Sequence, residues 1–199
     1  TPLNKLEYAK KLGATLAYLY LCQGDAVGLH TLKKKKPVTL PPKRNPAQVQ
    51  EILEVLGPLQ AKGETTLSQS LHEIAESSRM RGLVVIISDF FEDVPLINDA
   101  ITHLRDRKHD VILFHLLDQQ ELEFSFDRPT RFIDLEGQGS IITEPTLIRE
   151  EYLSSLEEHI KSIQEHCLGC EASYFQVQTS QSIRETLDGL KKSRRGGGI

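Results

Sequence analysis

Apolar residues recur at helical spacing from the start of the chain. Leu6, Ala9, Leu12, Leu16, Leu19 and Tyr20 mark one face of a helix over 6–22, and Gly24-Asp25 breaks it. The pattern then changes period. Ala26 to Leu32 and Pro37 to Leu40 read as two short strands around the lysine run 33–36, a hairpin whose second strand, opened by Pro37, suits a sheet edge. Pro41-Pro42 is expected to halt regular structure, after which Val49, Ile52, Leu53 and Leu56 place a helix over 46–56. Leu67, Leu71, Ile74 and Ala75 mark another helix. It leads into Leu83-Val84-Val85-Ile86-Ile87, a continuous apolar run of the kind found in a central parallel strand covered on both faces.

The second half repeats the alternation. A helix over 96–104 precedes the apolar strand 111–117, a hairpin over 131–142 turns at 137–139, and Pro145 opens a long helix to about Cys167. Tyr174 to Val177 forms the last strand and 180–190 the last helix. Helix and strand alternating in this way predict an α/β fold: a doubly wound, mostly parallel sheet with helices on both faces, in one domain over 1–192. Residues 193–199 are expected to be a disordered tail.

Composition narrows the classes. The 199 residues are 39% hydrophobic and 26% charged with a net charge of -4, the balance of a folded globular chain. A net acidic chain with sparse aromatics is not built as a dedicated nucleic-acid binder. No apolar run reaches the roughly 20 residues that cross a bilayer, so no membrane segment is expected here. The three cysteines, Cys22, Cys167 and Cys170, leave one thiol over in any pairing, which favours a reducing, cytoplasmic setting. An amphipathic helix at the very start, with no strand before it, suggests an upstream piece.

Ligands of open parallel sheets bind beyond the carboxyl ends of the strands. Asp89 directly follows the apolar run 83–87, so its carboxylate belongs at that rim, and the segment 63–68 supplies a second polar loop ahead of a helix. Carboxylates and hydroxyls from separate loops are hard donors of the kind Mg²⁺ and similar divalent cations prefer. Read alone, Thr66 is a helix cap, and Asp89 serves equally well as a loop residue or as a cation ligand.

Other polar features read more plainly. The lysines at 33–36, with Lys43 and Arg44, are a solvated hairpin turn. Cys167 and Cys170 have the spacing of half a zinc site or a redox pair, but no second such pair exists. His115, inside an apolar strand, reads as a core histidine. A metal-dependent hydrolase or phosphotransferase would gather Asp89, Glu92 and Asp93 around its cation. Phe91 stands where an Asp-x-Asp pair needs its second acid, and neither a Gly-x-Ser-x-Gly elbow nor a phosphate loop is present.

Several short motifs occur in a fixed order: Lys5-Leu6-Glu7-Tyr8-Ala9, Gln23-Gly24-Asp25-Ala26-Val27-Gly28-Leu29, Leu40-Pro41-Pro42, Gly63-Glu64-Thr65-Thr66-Leu67, Leu83 to Asp89, His109-Asp110-Val111 and Pro129-Thr130-Arg131-Phe132. Over roughly residues 3–192 the chain resembles the bacterial family known as domain of unknown function fifty-eight. That resemblance implies a von Willebrand factor A-like domain and a non-enzymatic protein–protein interaction role. It also implies a MoxR-type AAA+ ATPase as partner, since the two genes often adjoin. It places Thr65 on the threonine of a metal-ion-dependent adhesion site and Asp89 on its strand-four aspartate, with Mg²⁺ or another divalent cation between them in the complete protein. Relatives often carry Asp where this chain has Thr66. The Asp-x-Ser-x-Ser motif of the family's first strand would lie upstream of residue 1, which leaves Thr65 and Asp89 as an incomplete site. A missing first strand would leave two strand edges to be closed by collapse of the gap, by an upstream segment or by self-association.

Overall fold

The computed structural model describes residues 4–32, 37–60, 66–78, 80–126, 130–133, 140–143 and 145–196. In chain order its elements are α1 (Lys5–Cys22), β1 (Val27–His30), β2 (Thr39–Lys43), α2 (Gln48–Leu56), α3 (Leu67–Ser77), β3 (Leu83–Ser88), α4 (Val94–Asp106), β4 (Asp110–Leu117), α5 (Gln119–Glu123), β5 (Thr130–Ile133), β6 (Ser140–Thr143), α6 (Pro145–Gly169), β7 (Ser173–Gln178) and α7 (Ile183–Gly196). They fall into two compact units, one made of Thr1–Thr65 and Thr179–Ile199, the other of Thr66–Gln178.

In the first unit, Asn4 starts α1 by accepting a hydrogen bond from the Glu7 amide at 2.8 Å, which satisfies one of the free donors at a helix start. The buried stripe is Tyr8, Leu12 and Leu16, spaced by four. The Tyr8 hydroxyl meets Thr186 of α7 at 2.7 Å, so burial of the ring does not strand its polar end. Gly24, at φ 83, carries the chain out of the helix through a conformation that costs glycine least.

The β1–β2 ribbon is antiparallel, pairing Val27 with Lys43, Leu29 with Leu40 and His30 with Thr39, and its register slips between Val27 and Leu29. Pro41-Pro42 does not halt regular structure as expected; both prolines lie inside β2. The slip explains why. A bulge relieves the ladder of the amide donors that proline lacks, and Gln48 Nε2 donates to the carbonyls of Val27 and Pro41 at 3.2 and 3.0 Å. Gly28 is required at this point, because a Cβ there would come within 2.7 Å of the Leu40 carbonyl oxygen. Ala17, Ile52 and Leu56 close a small core, against which Val27, Leu29 and Leu40 pack.

The second unit is built on a three-stranded parallel sheet in the order β3-β4-β7. Here one expectation is corrected: β4, not β3, is the central strand. Val111 through Leu117 are all buried, whereas β3 pairs only with β4 in this sheet and buries only Ile86 fully. Continuous apolar character marked both strands, and only pairing distinguishes the middle from the side. Burying Leu113, Phe114 and Leu116 contributes about 1.5–3 kcal/mol per side chain. Helix α4 packs between α3 and α6 and against β4. Arg105 of α4 ties together the segments that lead into β7 and β4, donating to the Cys170 and His109 carbonyls at 2.8 and 2.7 Å.

Beyond the sheet, β5 and β6 pair antiparallel, as the hairpin reading requires; the expected turn at 137–139 lies outside the described residues. Short α5 was not anticipated, although its signal was in view. Asp118 and Glu121 form a reciprocal capping box three residues apart. No helix among the described residues is long and apolar enough to cross a membrane.

Candidate functional site

Thr65 lies outside the described residues. Asp89 is exposed in the loop that leaves β3, as its place after the apolar run implied. The geometry of that loop, 88–93, is set by the residue after it. Phe90 is fully buried with φ at 51°, a left-handed conformation that costs a residue with a Cβ about 1–2 kcal/mol.

Three contacts hold Phe90 there. Its amide donates to Ser88 Oγ at 3.1 Å, and its carbonyl accepts from the Glu92 amide at 2.9 Å and from His159 Nε2 of α6 at 3.0 Å. Because a carbonyl only accepts, His159 carries its proton on Nε2. The Phe90 ring lies edge-on to His115, with centroids 5.2 Å apart. His115 is buried and its Nδ1 meets the Tyr174 hydroxyl at 2.7 Å, which fits the core role expected of it. Burial pushes the Tyr174 phenol well above its ordinary range, so it stays neutral beside the imidazole.

Turning the backbone at Phe90 sends the next side chain outward. Phe91 is 90% exposed. Glu92 turns back: its carboxylate accepts hydrogen bonds from the Ser68 amide, at 3.0 Å, and from the Ser68 hydroxyl. That carboxylate therefore caps α3, where the helix dipole favours negative charge. Thr66 sits at the N-cap position but makes no capping bond; its hydroxyl reaches Gln69 Oε1 at 3.5 Å instead. Asp93 begins α4, with Pro95 in the first turn. Of the carboxylate trio suggested by sequence, Glu92 is engaged at α3, and Asp89 and Asp93 are exposed. Among the described residues, no group of three or more His, Cys, Asp or Glu is arranged to hold a metal ion.

The cysteine pair is placed by packing. Cys167 is buried in α6, and burial pushes its thiol up to about 12, while Cys170 Sγ donates to the Cys167 carbonyl at 3.6 Å. A thiol held protonated in this way is a poor nucleophile and a poor metal ligand. Sequence reading did not anticipate Phe90, His159 or the Glu92–Ser68 contact. The adjacent phenylalanines at the end of an apolar strand were the available signal, since a loop rarely buries both.

The family model described as Protein of unknown function DUF58 matches residues 1–162. The chain belongs to this family. No curated protein gives a match. Among solved structures, the chain is similar in fold to the conserved hypothetical protein BatB from Bacteroides thetaiotaomicron. That likeness has 15% identity and a TM-score of 0.55, covering 96% of this chain and 88% of that one. An aerotolerance-related membrane protein from Bacteroides fragilis NCTC 9343, crystallised with multiple mutations to serines, is similar at 14% identity and a TM-score of 0.51. There the match covers 94% of this chain and 86% of the other. At these identities the likeness is one of fold.

Proposed function

We propose that this DUF58 chain is a non-enzymatic protein–protein interaction module of the von Willebrand factor A-like type, presenting the 88–93 loop to a partner. One observation carries the reading. A buried, left-handed Phe90 braced by β3, α6 and the loop itself holds Phe91 in solvent at 90% exposure. A strained backbone maintained to expose a large aromatic ring suits a binding anchor, because aromatic side chains dominate interface energetics.

Asp89 lies two residues from that anchor. In the complete protein it and Thr65 would serve as ligands of Mg²⁺ or a similar cation, whose coordination a carboxylate from the partner would complete. The partner we favour is a MoxR-type AAA+ ATPase. The alternative of phosphoester hydrolysis on Asp89 needs a second converging acid, and Glu92, the neighbouring candidate on this loop, is occupied in capping α3.

The test is binding of the purified ATPase to the immobilised chain, with nucleotide and Mg²⁺ supplied. Phe91→Ser should weaken binding roughly thirtyfold, the size of an interface hot spot, and Asp89→Ala should remove its Mg²⁺ dependence. Binding that ignores both substitutions would sink the proposal, and metal-dependent phosphoester turnover abolished by Asp89→Ala would establish the alternative.

A further inference from the structure

A second concentration of chemistry lies on the α3–α4 flank, and neither the fold nor the rim loop uses it. His72 and Glu76 are four residues apart on α3, and Asp99 and His103 four apart on α4, so each pair shares one helix face. Where the two helices pack, the four side chains meet. The Nδ1 atoms of His72 and His103 face each other at 2.8 Å, with ring centroids 5.1 Å apart. Behind each ring stands a carboxylate: Asp99 Oδ2 is 3.5 Å from His72 Nε2, and Glu76 Oε1 is 3.1 Å from His103 Nε2. Arg107 Nη2 donates to the same Glu76 oxygen at 2.8 Å.

A neutral imidazole carries one N–H. If each ring directs it from Nε2 toward its carboxylate, both Nδ1 atoms hold lone pairs, and these point at each other across 2.8 Å. Two facing lone pairs at that separation repel unless a cation stands between them. A carboxylate behind the imidazole is also the arrangement that orients a metal-ligating histidine and raises its basicity.

We propose that His72 and His103 form a two-imidazole site for one divalent transition-metal ion of the zinc class, bound through both Nδ1 atoms. Asp99 and Glu76 orient the rings, and water completes the coordination sphere. Imidazole donors select this class of ion over Mg²⁺ and Ca²⁺, which take oxygen ligands. A tetrahedral zinc with bonds of about 2.0–2.1 Å needs the two nitrogens roughly 3.3 Å apart. The pair must therefore open by about half an ångström, a small rotation for side chains 37% and 27% exposed. Ser68, Gln69, His72, Glu73, Glu76 and Leu96 line an open groove here, which gives the ion and its waters access. His72, His103, Asp99 and Glu76 lie outside the rim loop 88–93.

Isothermal titration of the full chain with ZnCl₂, and separately with MgCl₂, tests the inference. One saturable zinc event is expected, with none for magnesium. His72→Ala and His103→Ala should each weaken it more than tenfold, and Asp99→Asn and Glu76→Gln by roughly tenfold. Cys22→Ser should leave it intact, which separates the site from the exposed Cys22 thiol. Nitrogen NMR of the unsubstituted chain avoids dependence on variant folding: one equivalent of zinc should shift the Nδ1 resonances of both rings together. No saturable zinc heat, heat undiminished by His103→Ala, or a shift confined to one ring overturns the proposal, the first meaning that a proton alone bridges the pair.

Discussion

The rim loop 88–93 and the α3–α4 flank use the same kinds of side chain in opposite ways. At the rim, His159 and Glu92 are committed to backbone groups, one holding the Phe90 carbonyl and the other the start of α3. Their chemistry is consumed in shape, and what the loop offers outward is Asp89 and Phe91. On the flank, His72, His103, Asp99 and Glu76 are turned toward one another at the surface, and the contacts that join them run from side chain to side chain. A histidine bonded to a carbonyl fixes a fold, whereas two imidazoles that meet only each other and carboxylate side chains are placed as the proposed cation site requires. Residue type alone did not separate the two uses. The atom each group points at did.

The most direct way to break this contrast is at Phe90. Phe90→Ala should destabilise the chain by about 3–5 kcal/mol, the cost of emptying a buried aromatic site. Phe90→Gly removes the same packing but relieves the left-handed strain, so it should be the more stable of the two variants by about 1 kcal/mol. That reverses the usual order, in which glycine is worse than alanine inside regular structure. Urea unfolding of both variants measures it. If the alanine variant proves the more stable, the backbone at residue 90 is not left-handed, and the rim loop does not project Phe91 as described.

Glu92 offers the next largest effect. Glu92→Ala leaves the Ser68 amide without its acceptor at the start of α3 and should cost about 1–2 kcal/mol. Glu92→Gln keeps an acceptor oxygen while losing the charge that complements the helix dipole, so a loss of about half that size is expected. Unfolding midpoints of the two variants decide it. An alanine variant as stable as the parent would free the Glu92 carboxylate for ligand chemistry and revive the acidic cluster at the rim.

Why the sequence disclosed some of this and not the rest follows from range. The apolar pattern located the three strands of the parallel sheet and the longer helices between them, because each element's apolar positions recur within its own few residues. It did not rank β3 against β4, since both are unbroken apolar runs and only pairing places Val111 through Leu117 in the middle. Proline chemistry predicted a stop at 41–42, and the bulge opposite Gly28, supported by Gln48, kept the strand going. Asp89 was legible because it adjoins a strand end. Glu92 capping a helix that begins 25 residues earlier in the chain was not. The His72–His103 pair was equally hidden: the i,i+4 spacing with Glu76 and Asp99 is visible in sequence, but nothing local shows that α3 and α4 align those faces.

On the flank, Glu76 provides a pH test of smaller size. Arg107, hydrogen-bonded to Glu76, holds its carboxyl below the ordinary range, with His103 adding a lesser pull in the same direction. A carboxyl whose pKa is lower in the folded state stabilises that state above its unfolded value. The contribution is lost as the pH falls through the folded value. Glu185, lowered by its bonds to the Ser182 amide and hydroxyl, behaves in the same sense elsewhere in the chain. Arg107→Ala should therefore reduce, without abolishing, the acid-side fall in melting temperature between about pH 6 and about pH 3. An unchanged slope would mean that Arg107 does not govern Glu76 in solution.

The smallest effect on stability is expected at Phe91, next to the residue where it is largest. A ring 90% exposed has almost no packing to lose, so Phe91→Ser should shift stability by no more than about 0.5 kcal/mol in either direction. Its consequence should fall on partner binding alone. Running urea unfolding on this variant beside Phe90→Ala therefore tests adjacent residues for opposite roles, one building the loop and the other presented by it. If Phe91→Ser destabilises the chain as much as Phe90→Ala, the ring is packed against the protein in solution. Phe91 would then be part of the scaffold, and the exposed Asp89 would be left as the outward group on which recognition at this rim depends.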